Sequence, residues 1–562
     1  MKSINLDKNL IILALLAVVF FAIYSYLPYH QFVGAKGGRI IFNSPDATGN
    51  YFFTKLLADQ GTLRYFEPLN LVANSNVHPR SVTVINSYLV PVSFLGMTLF
   101  YGLLGKIFGT GIIIFLTPLI SAITVIFFYL LLKEIFNKNI ALFSSLLLFI
   151  FPAFWVYTSR SMYHNVFVID LFIISIYFLI KTLKDQKTIY VVIAAALLGV
   201  AIISRVSEML WMLPAYFLVF AFFYKQIKIR YIYSSFAVLA LCAIMLLTIN
   251  QVLYSSPFAT GYEEVPAATF QSVINEEVDE GVTAPISVQQ SSNPIVNLLK
   301  GYLLPFGFHP QRAILNFYTY YPFFFWWFFI PTCFGGLIYL VRLFQKEEDS
   351  KFSKQILGSY LLIFIFVSAF LIIYYGSWRI IDRLDPKVVS LGTSYLRYFL
   401  FIYIFSLPFI GFLITEIIKF AKLKYLKPIV AVLLLLYFAF FSINLVMFKT
   451  DESIIAVKQR IDEYYVKAEK VFAITPEDSI IISERSDKIF FPQRRVMPSL
   501  QNEDLLRLLP RVIDQVPVYY YTYWAEEDLA FWEAEILNDY GLKFVDRQKI
   551  FENESLYQIK IK

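Results

Sequence analysis

From Ile11 to Leu27 the chain reads IILALLAVVFFAIYSYL, without a single charge. A run of that length and polarity is stable as a helix across roughly 30 Å of hydrocarbon, because only a helix satisfies its own backbone there. Ten further runs share the pattern, near 110–132, 140–157, 165–180, 189–204, 207–224, 231–254, 321–341, 356–375, 399–418 and 428–448. Only 16% of the 562 residues are charged while 58% are apolar, outside the range of soluble domains. The expected fold is a polytopic α-helical membrane protein of about eleven spans. The net charge of +7 is then a topology signal, and no nucleic-acid partner is implied.

Another apolar run, SYLVPVSFLGMTLFYGLLG from Ser87, decides the sidedness of everything after it. If it does not cross, Lys2, Lys8, Lys133, Lys138, Lys181, Lys184, Lys187 and the lysines between Lys419 and Lys427 share one side. The opposite short loops then hold only Arg160, Arg205, Arg379, Arg383, Lys387 and Arg397. By the positive-inside rule the lysine side is cytoplasmic. We therefore expect 87–105 to be an interfacial or re-entrant hairpin within an outer loop 28–109, a second outer loop at 255–320, and a cytoplasmic amino terminus. The first run is read as a retained span, since PYHQFVGAKGG offers no clear cleavage site.

Residues 1–449 form the expected membrane domain and 450–562 a small outward-facing soluble α/β domain. In the latter, apolar periodicity switches between helical segments (SIIAVKQRIDEYYVKAEKVF, NEDLLRLLPRVIDQV, EEDLAFWEAEILNDY) and strands (SIIIS, VYYYTYW, LKFVD, SLYQIKI). It contains no glycine-rich phosphate loop. The two cysteines, Cys242 and Cys333, lie inside apolar runs, and the four histidines show no metal-ligand spacing.

The charges of the outer loops point to chemistry. Five of the six in the short loops are arginine, whose planar fork binds phosphate oxygens in pairs; pairing with Asp382, Asp385 or lipid head groups is the plainer alternative. In FNSPDATGNYFF, Asp46 stands alone after an apolar run, with Tyr51, Leu56 and Leu57 set to form the apolar face of a short surface helix. A carboxylate at a helix start is ordinarily a cap. The other role open to it is general base beside the membrane surface.

An acidic residue a few positions beyond the first span, followed by a proline-containing apolar hairpin, resembles the C superfamily of membrane glycosyltransferases (GT-C), in its protein O-mannosyltransferase and aminoarabinose-transferase branch. FPAFWVYTSRSMYHNVFVIDLF resembles that branch's second outer loop, GVAIISRVSEMLWMLP a segment that carries lysine where this chain has Arg205, and SYLRYFL a recurrent element near a late span. The resemblance implies transfer of one sugar from a polyprenyl-phosphate carrier to a protein, lipid or glycan acceptor on the outer face, with inversion. Asp46 would then take the acceptor's proton, and Arg205, Arg397 and Arg160 would hold the carrier phosphate, with Tyr51 and Tyr398 beside the substrate. Where relatives carry a second acid, this chain has His164-Asn165, which puts a divalent metal or an acid pair in doubt and leaves His164 and Asn165 as substrate contacts. Asp170, inside a span, and Glu208, one turn from Arg205, are the remaining second-acid candidates.

The stretch LPFGFHPQRAILNFYTYYPFFFWW sets His309 and Arg312 above an aromatic-rich span. It reads either as the interfacial aromatic belt or as the rim of a groove for sugar or carrier lipid. Two rival functions remain at this stage, a transporter or lipid flippase and a non-catalytic envelope assembly protein. The first calls for charges near several span centres and for internal repeats, and the second leaves the arginine bias unexplained.

Overall fold

The computed structural model describes residues 7–35, 38–262, 305–345, 354–380 and 388–562. Most of the second outer loop, together with Asp382, Arg383, Asp385 and Lys387, lies outside that set. The chain divides into two compact units. One comprises the described parts of Met1–Pro28, Phe115–Ala243 and Thr283–Ala456, the other those of Tyr29–Ile114, Ile244–Val282 and Val457–Lys562.

Each of the eleven apolar runs is helical, and the protein is a multi-pass membrane protein. Among the described residues seven helices are long and apolar enough to cross a bilayer unaided, and two bent pairs bring the number to nine. Thr188–Ser204 and Val206–Phe222 are shorter, with Arg205 at the break between them. The pair Lys138–Ile150 and Pro152–Arg160 bends by 52°, where Pro152 opens the second helix. In the membrane unit, helix Leu400–Phe420 lies at the centre, with Leu400 to Gly411 buried throughout. Helix Trp326–Phe344 approaches it so closely at Gly335 that a Cβ there would fall 1.8 Å from the Phe409 carbonyl oxygen. Small residues at such crossings are how helices associate where water supplies no driving force.

The run at 87–105, expected as an interfacial or re-entrant hairpin, is a strand followed by a short helix. Its first part is strand β3 (Tyr88–Pro91), which pairs antiparallel with β1 (Tyr65–Phe66) and β2 (Val82–Ile85). Its second part is helix Leu95–Phe108, whose 14 residues span about 21 Å, short of a bilayer. Leu95, Met97 and Tyr101 are buried while Leu103, Ile107 and Phe108 are exposed, a two-faced pattern suited to an interface.

The carboxy-terminal segment follows the expected alternation. Helix Ile454–Ile474 leads into β4 (Ile480–Ile482), β5 (Arg495–Met497), helix Glu503–Ile513, β6 (Val518–Thr522), helix Glu526–Glu535, β7 (Leu542–Phe551) and β8 (Glu554–Ile561). The sheet order is β5-β4-β6-β8-β7, parallel on the β5 side and antiparallel on the β7 side. All three residues of β4 are buried, as expected of a central strand covered on both faces. The short β5 has no counterpart in the sequence reading. A division at 449/450 would separate side chains that share one core: Ile41, Phe53, Leu56 and Leu89 pack in the same cluster as Ala468, Val471, Ile481, Phe490 and Tyr521.

One carboxylate of this domain has a testable cost. Glu484 follows β4, and burial pushes its carboxyl above the ordinary value despite a hydrogen bond of 2.8 Å from Tyr520. A raised folded-state value means that its contribution is full at acid pH and is lost as pH rises through that value. Glu484→Gln is therefore expected to raise the melting temperature of the purified protein by about 2 °C at pH 8 and to leave it unchanged at pH 4.

Candidate active site

In the membrane unit five of the expected site residues meet in one cleft. Asn165, Arg205, Glu208, Arg397 and Tyr398 line it together with Val168, Ile169, Trp211, Leu371, Leu400 and Phe401. The local folding explains how each reaches it. Helix Thr188–Ser204 stops at Arg205, whose extended backbone (φ −159°) turns the guanidinium out of the helical path, and Val206–Glu208 forms a single 3-10 turn.

Arg205 Nε donates to Glu208 Oε1 at 2.8 Å and its Nη2 to the Tyr375 hydroxyl at 2.9 Å. Tyr375 in turn donates to Glu208 Oε1 at 2.7 Å, and Trp211 Nε1 donates to Glu208 Oε2. Glu208 thus accepts three hydrogen bonds and anchors the cation instead of standing ready to move a proton. The guanidinium lies 4.9 Å from the Tyr398 ring centroid and 5.6 Å from that of Tyr375. Those two rings stack at 4.3 Å. Arg397, on the short helix Ser394–Tyr398, sits 5.4 Å from the same Tyr398 ring and 5.7 Å from Tyr163, and donates to Ser394 Oγ at 2.8 Å. Two cations against one glutamate among the lining residues leave a positive excess, and planar cations held over aromatic faces keep their forks oriented. The enclosed volume is about 20 Å³, room for a water but not for a sugar phosphate, so occupation requires the walls to part.

A larger cavity of about 230 Å³ adjoins it. Phe172, Ile176, Ile180 and Leu183 line this cavity along the same face of helix His164–Asp185 that presents Asn165, Val168 and Ile169 to the cleft, and Phe401 borders both. Its lining is overwhelmingly apolar, ending at Glu134 and Lys184.

The remaining candidates of this unit lie elsewhere. Arg160 is buried against Glu452, to which it donates at 2.6 Å, so a carrier phosphate would have to displace that partner. His164 opens helix His164–Asp185 and is 8% exposed. Asp170 is buried at the contact with helix Leu116–Ile135, where Ser121 donates to Oδ2 at 2.6 Å, and does not line the cleft. His309 and Arg312 cap the end of helix Lys354–Gly376: the His309 amide donates to Ser377 Oγ and Arg312 Nη1 to the Ser377 carbonyl, both at 3.1 Å. Cations are favoured at that end of a helix dipole. They connect to the cleft through aromatic rings, Phe306 stacking on Trp378 at 4.2 Å and Trp378 lying 6.0 Å from Tyr398.

In the other unit, Asp46 occupies the first turn of helix Pro45–Gln60, behind Ser44 at the cap and Pro45 at the first helical position. It is therefore not itself the cap. The helix is not a surface helix either, since Ala47, Asn50, Phe53, Thr54, Leu56 and Ala58 are buried. Ser81 Oγ donates to Asp46 Oδ1 at 2.5 Å. Tyr51 packs 5.3 Å from Phe42, and burial, with Asp59 nearby, pushes its phenol up to about 12. No group of three or more acidic, histidine or cysteine side chains arranged to hold a metal occurs among the described residues.

Residues 89–253 match the family described as dolichyl-phosphate-mannose-protein mannosyltransferase. No curated protein sequence matches the chain. Among solved structures, the Archaeoglobus fulgidus oligosaccharyltransferase tethered to an acceptor peptide containing the NVT sequon is similar at a TM-score of 0.51. It shows 12% identity over 91% of this chain and 69% of that one. The same organism's AglB in complex with an inhibitory peptide and a dolichol-phosphate gives 0.50 at 13% identity, over 93% and 72%. The chain has the GT-C fold. ArnT from Cupriavidus metallidurans in the apo state aligns over 96% of this chain and 97% of its own at 10% identity and a TM-score of 0.49. The GT-C segment that matches the mannosyltransferase family contains Arg160, His164, Asn165, Asp170, Arg205 and Glu208, while Asp46 and Arg397 fall outside it.

Of the aromatic residues at the cleft, the sequence reading found Tyr398 and missed the others. Tyr375, Trp211 and Phe401 come from three spans, and nothing in their local sequence separates them from belt or core aromatics.

Proposed function

We propose that the chain moves a single sugar from a polyprenyl-phosphate carrier to an acceptor protein, lipid or glycan on the outer face of the membrane, with inversion. Arg205 and Arg397 hold the carrier phosphate and Asp46 serves as general base. The observation that carries this reading is the convergence of two guanidiniums on the Tyr398 ring, at a break between membrane helices. Charge grows on the phosphate as its bond to the sugar breaks, and fixed cations in a water-poor cleft stabilise that growth more than they stabilise the ground state. Inversion needs a proton acceptor for the incoming hydroxyl on the opposite face of the sugar. Asp46 is proposed for this from its place behind the first span. The sidedness proposed is the one derived from the lysine distribution: amino terminus cytoplasmic, carboxy-terminal domain outside.

The apolar cavity bordering Phe401 suits an isoprenoid tail. Filling it with Ile176→Trp is expected to raise KM for a long-chain polyprenyl-phosphate sugar about tenfold, which corresponds to the loss of about two buried methylenes. A donor with a two-isoprene tail is expected to be unaffected.

The test of the reading as a whole is an assay of the purified protein against a panel of lipid-linked sugar donors, joined to cysteine labelling from either side of the membrane. Transfer from at least one donor, with positions 46 and 205 labelled from the same outer side, is the expected result. Labelling from opposite sides overturns the proposal.

A further inference from the structure

The carboxy-terminal segment grips the chain on both sides of Asp46. Helix Ile454–Ile474 contacts the described residues between His30 and Asn43. His30 Nε2 lies 2.5 Å from Asp462 Oδ1, the Tyr465 hydroxyl donates to the carbonyls of Gln31 and Arg39 at 3.2 and 3.1 Å, and Arg460 Nη1 donates to Asn43 Oδ1 at 3.3 Å. One turn beyond Arg460, Tyr464 reaches the same Asn43 oxygen at 3.5 Å.

The four-residue helix Asp487–Phe490 holds the other side. Asp487, fully buried, accepts from the Arg80 amide at 2.7 Å, from Arg80 Nε at 2.9 Å and from Arg80 Nη2 at 2.6 Å. Arg80 also donates to the Arg485 carbonyl at 2.7 Å. This clamp fixes the backbone just before Ser81, which adopts a left-handed conformation (φ 62°) and donates to Asp46. The next residue of the same short helix, Lys488, donates to the Asn43 carbonyl at 2.7 Å and lies 5.1 Å from the Tyr464 ring.

We infer that the carboxy-terminal domain is a working part of the Asp46 site, with Asp487 and Lys488 as positioning residues. Asp487 acts through Arg80 on Ser81, and Lys488 through Asn43 on the turn that opens the Asp46 helix. A fully buried carboxylate with three hydrogen bonds to one half-buried arginine sets geometry far better than an exposed contact, and a base misplaced by about 1 Å can lose about 10²-fold in rate. The inference rests on the reading of Asp46 as base, and it assigns the carboxy-terminal domain a task in the reaction.

The test uses the full chain with Cys242 and Cys333 changed to serine and Asp46→Cys as the probe. The pH dependence of its reaction with a soluble maleimide gives the thiol's apparent pKa. Ser81 donates to position 46, Lys488 and Arg460 bind Asn43 three residues before it, and Arg80 precedes Ser81; a donor and cations held on these neighbours favour the thiolate, so adding Ser81→Ala, Asp487→Asn or Lys488→Met is expected to move that value up by about half a unit or more. Lys488→Arg is expected to restore it. In the enzyme with Asp46 intact, Asp487→Asn is expected to lower kcat about tenfold with donor KM within twofold. A folded Asp487→Asn protein with unchanged thiol pKa and unchanged kcat overturns the inference while leaving the base assignment standing. Wild-type transfer by Asp46→Asn removes the base assignment instead, and the thiol measurement still decides the positioning role.

Discussion

Arg205→Ala is expected to lower the rate of the proposed sugar transfer by about 10²–10³-fold, the usual cost of removing one fixed donor from a developing anion. The guanidinium spans Glu208, the Tyr375 hydroxyl and the Tyr398 face, so no lysine reproduces it, and Arg205→Lys recovers little. The single variant also strands Glu208, 6% exposed, without its cation, and an uncompensated buried charge can cost about 3–5 kcal/mol in stability. The double variant Arg205→Ala/Glu208→Ala removes both charges and separates the two effects: it inserts and melts near the wild type, yet transfers no faster than Arg205→Ala. Unimpaired transfer by that folded double variant would show that the arginine holds the helix break together and nothing more. Arg397→Ala is expected to behave like Arg205→Ala.

The sequence revealed this cleft unevenly, for physical reasons. Spans are legible because a bilayer imposes one length and one polarity, and all eleven runs are helices. The tail is legible where its period is clean: in helix Glu503–Ile513 the buried Leu505, Leu506, Leu509 and Val512 follow the helical repeat, whereas β5, three residues beginning with Arg495, has no period to read. Arg205 stood out as an isolated charge between apolar runs, and the structure sets it at a helix break. Arg160 stood out for the same reason but is consumed by Glu452, nearly 300 residues away in sequence, a pairing no local pattern encodes. The same holds for Asp487 and Arg80. In the run at 87–105 apolar composition alone does not tell strand from helix; Pro91 at the end of β3 is the mark that it breaks there.

Asp46→Asn is expected to reduce the proposed transfer by about 10²–10⁴-fold, the range in which a positioned general base contributes. The substitution is nearly isosteric, and the asparagine carbonyl still accepts from Ser81, so the first turn of helix Pro45–Gln60 keeps its geometry. The helix loses a first-turn anion worth only about 0.3–1 kcal/mol, too little to unfold a unit whose core includes Phe53 and Leu56. Donor KM should therefore stay within about twofold while kcat collapses, the signature of an interaction made only as the hydroxyl proton leaves. Asp46→Glu keeps the charge but displaces it by a methylene, and is expected to recover at most a tenth of the rate. Full transfer by Asp46→Asn would return Asp46 to the role of a helix-start anion. Movement of the carrier lipid across the membrane without sugar transfer, in a protein carrying intact Asp46 and Arg205, would instead identify a lipid transporter built on the same fold.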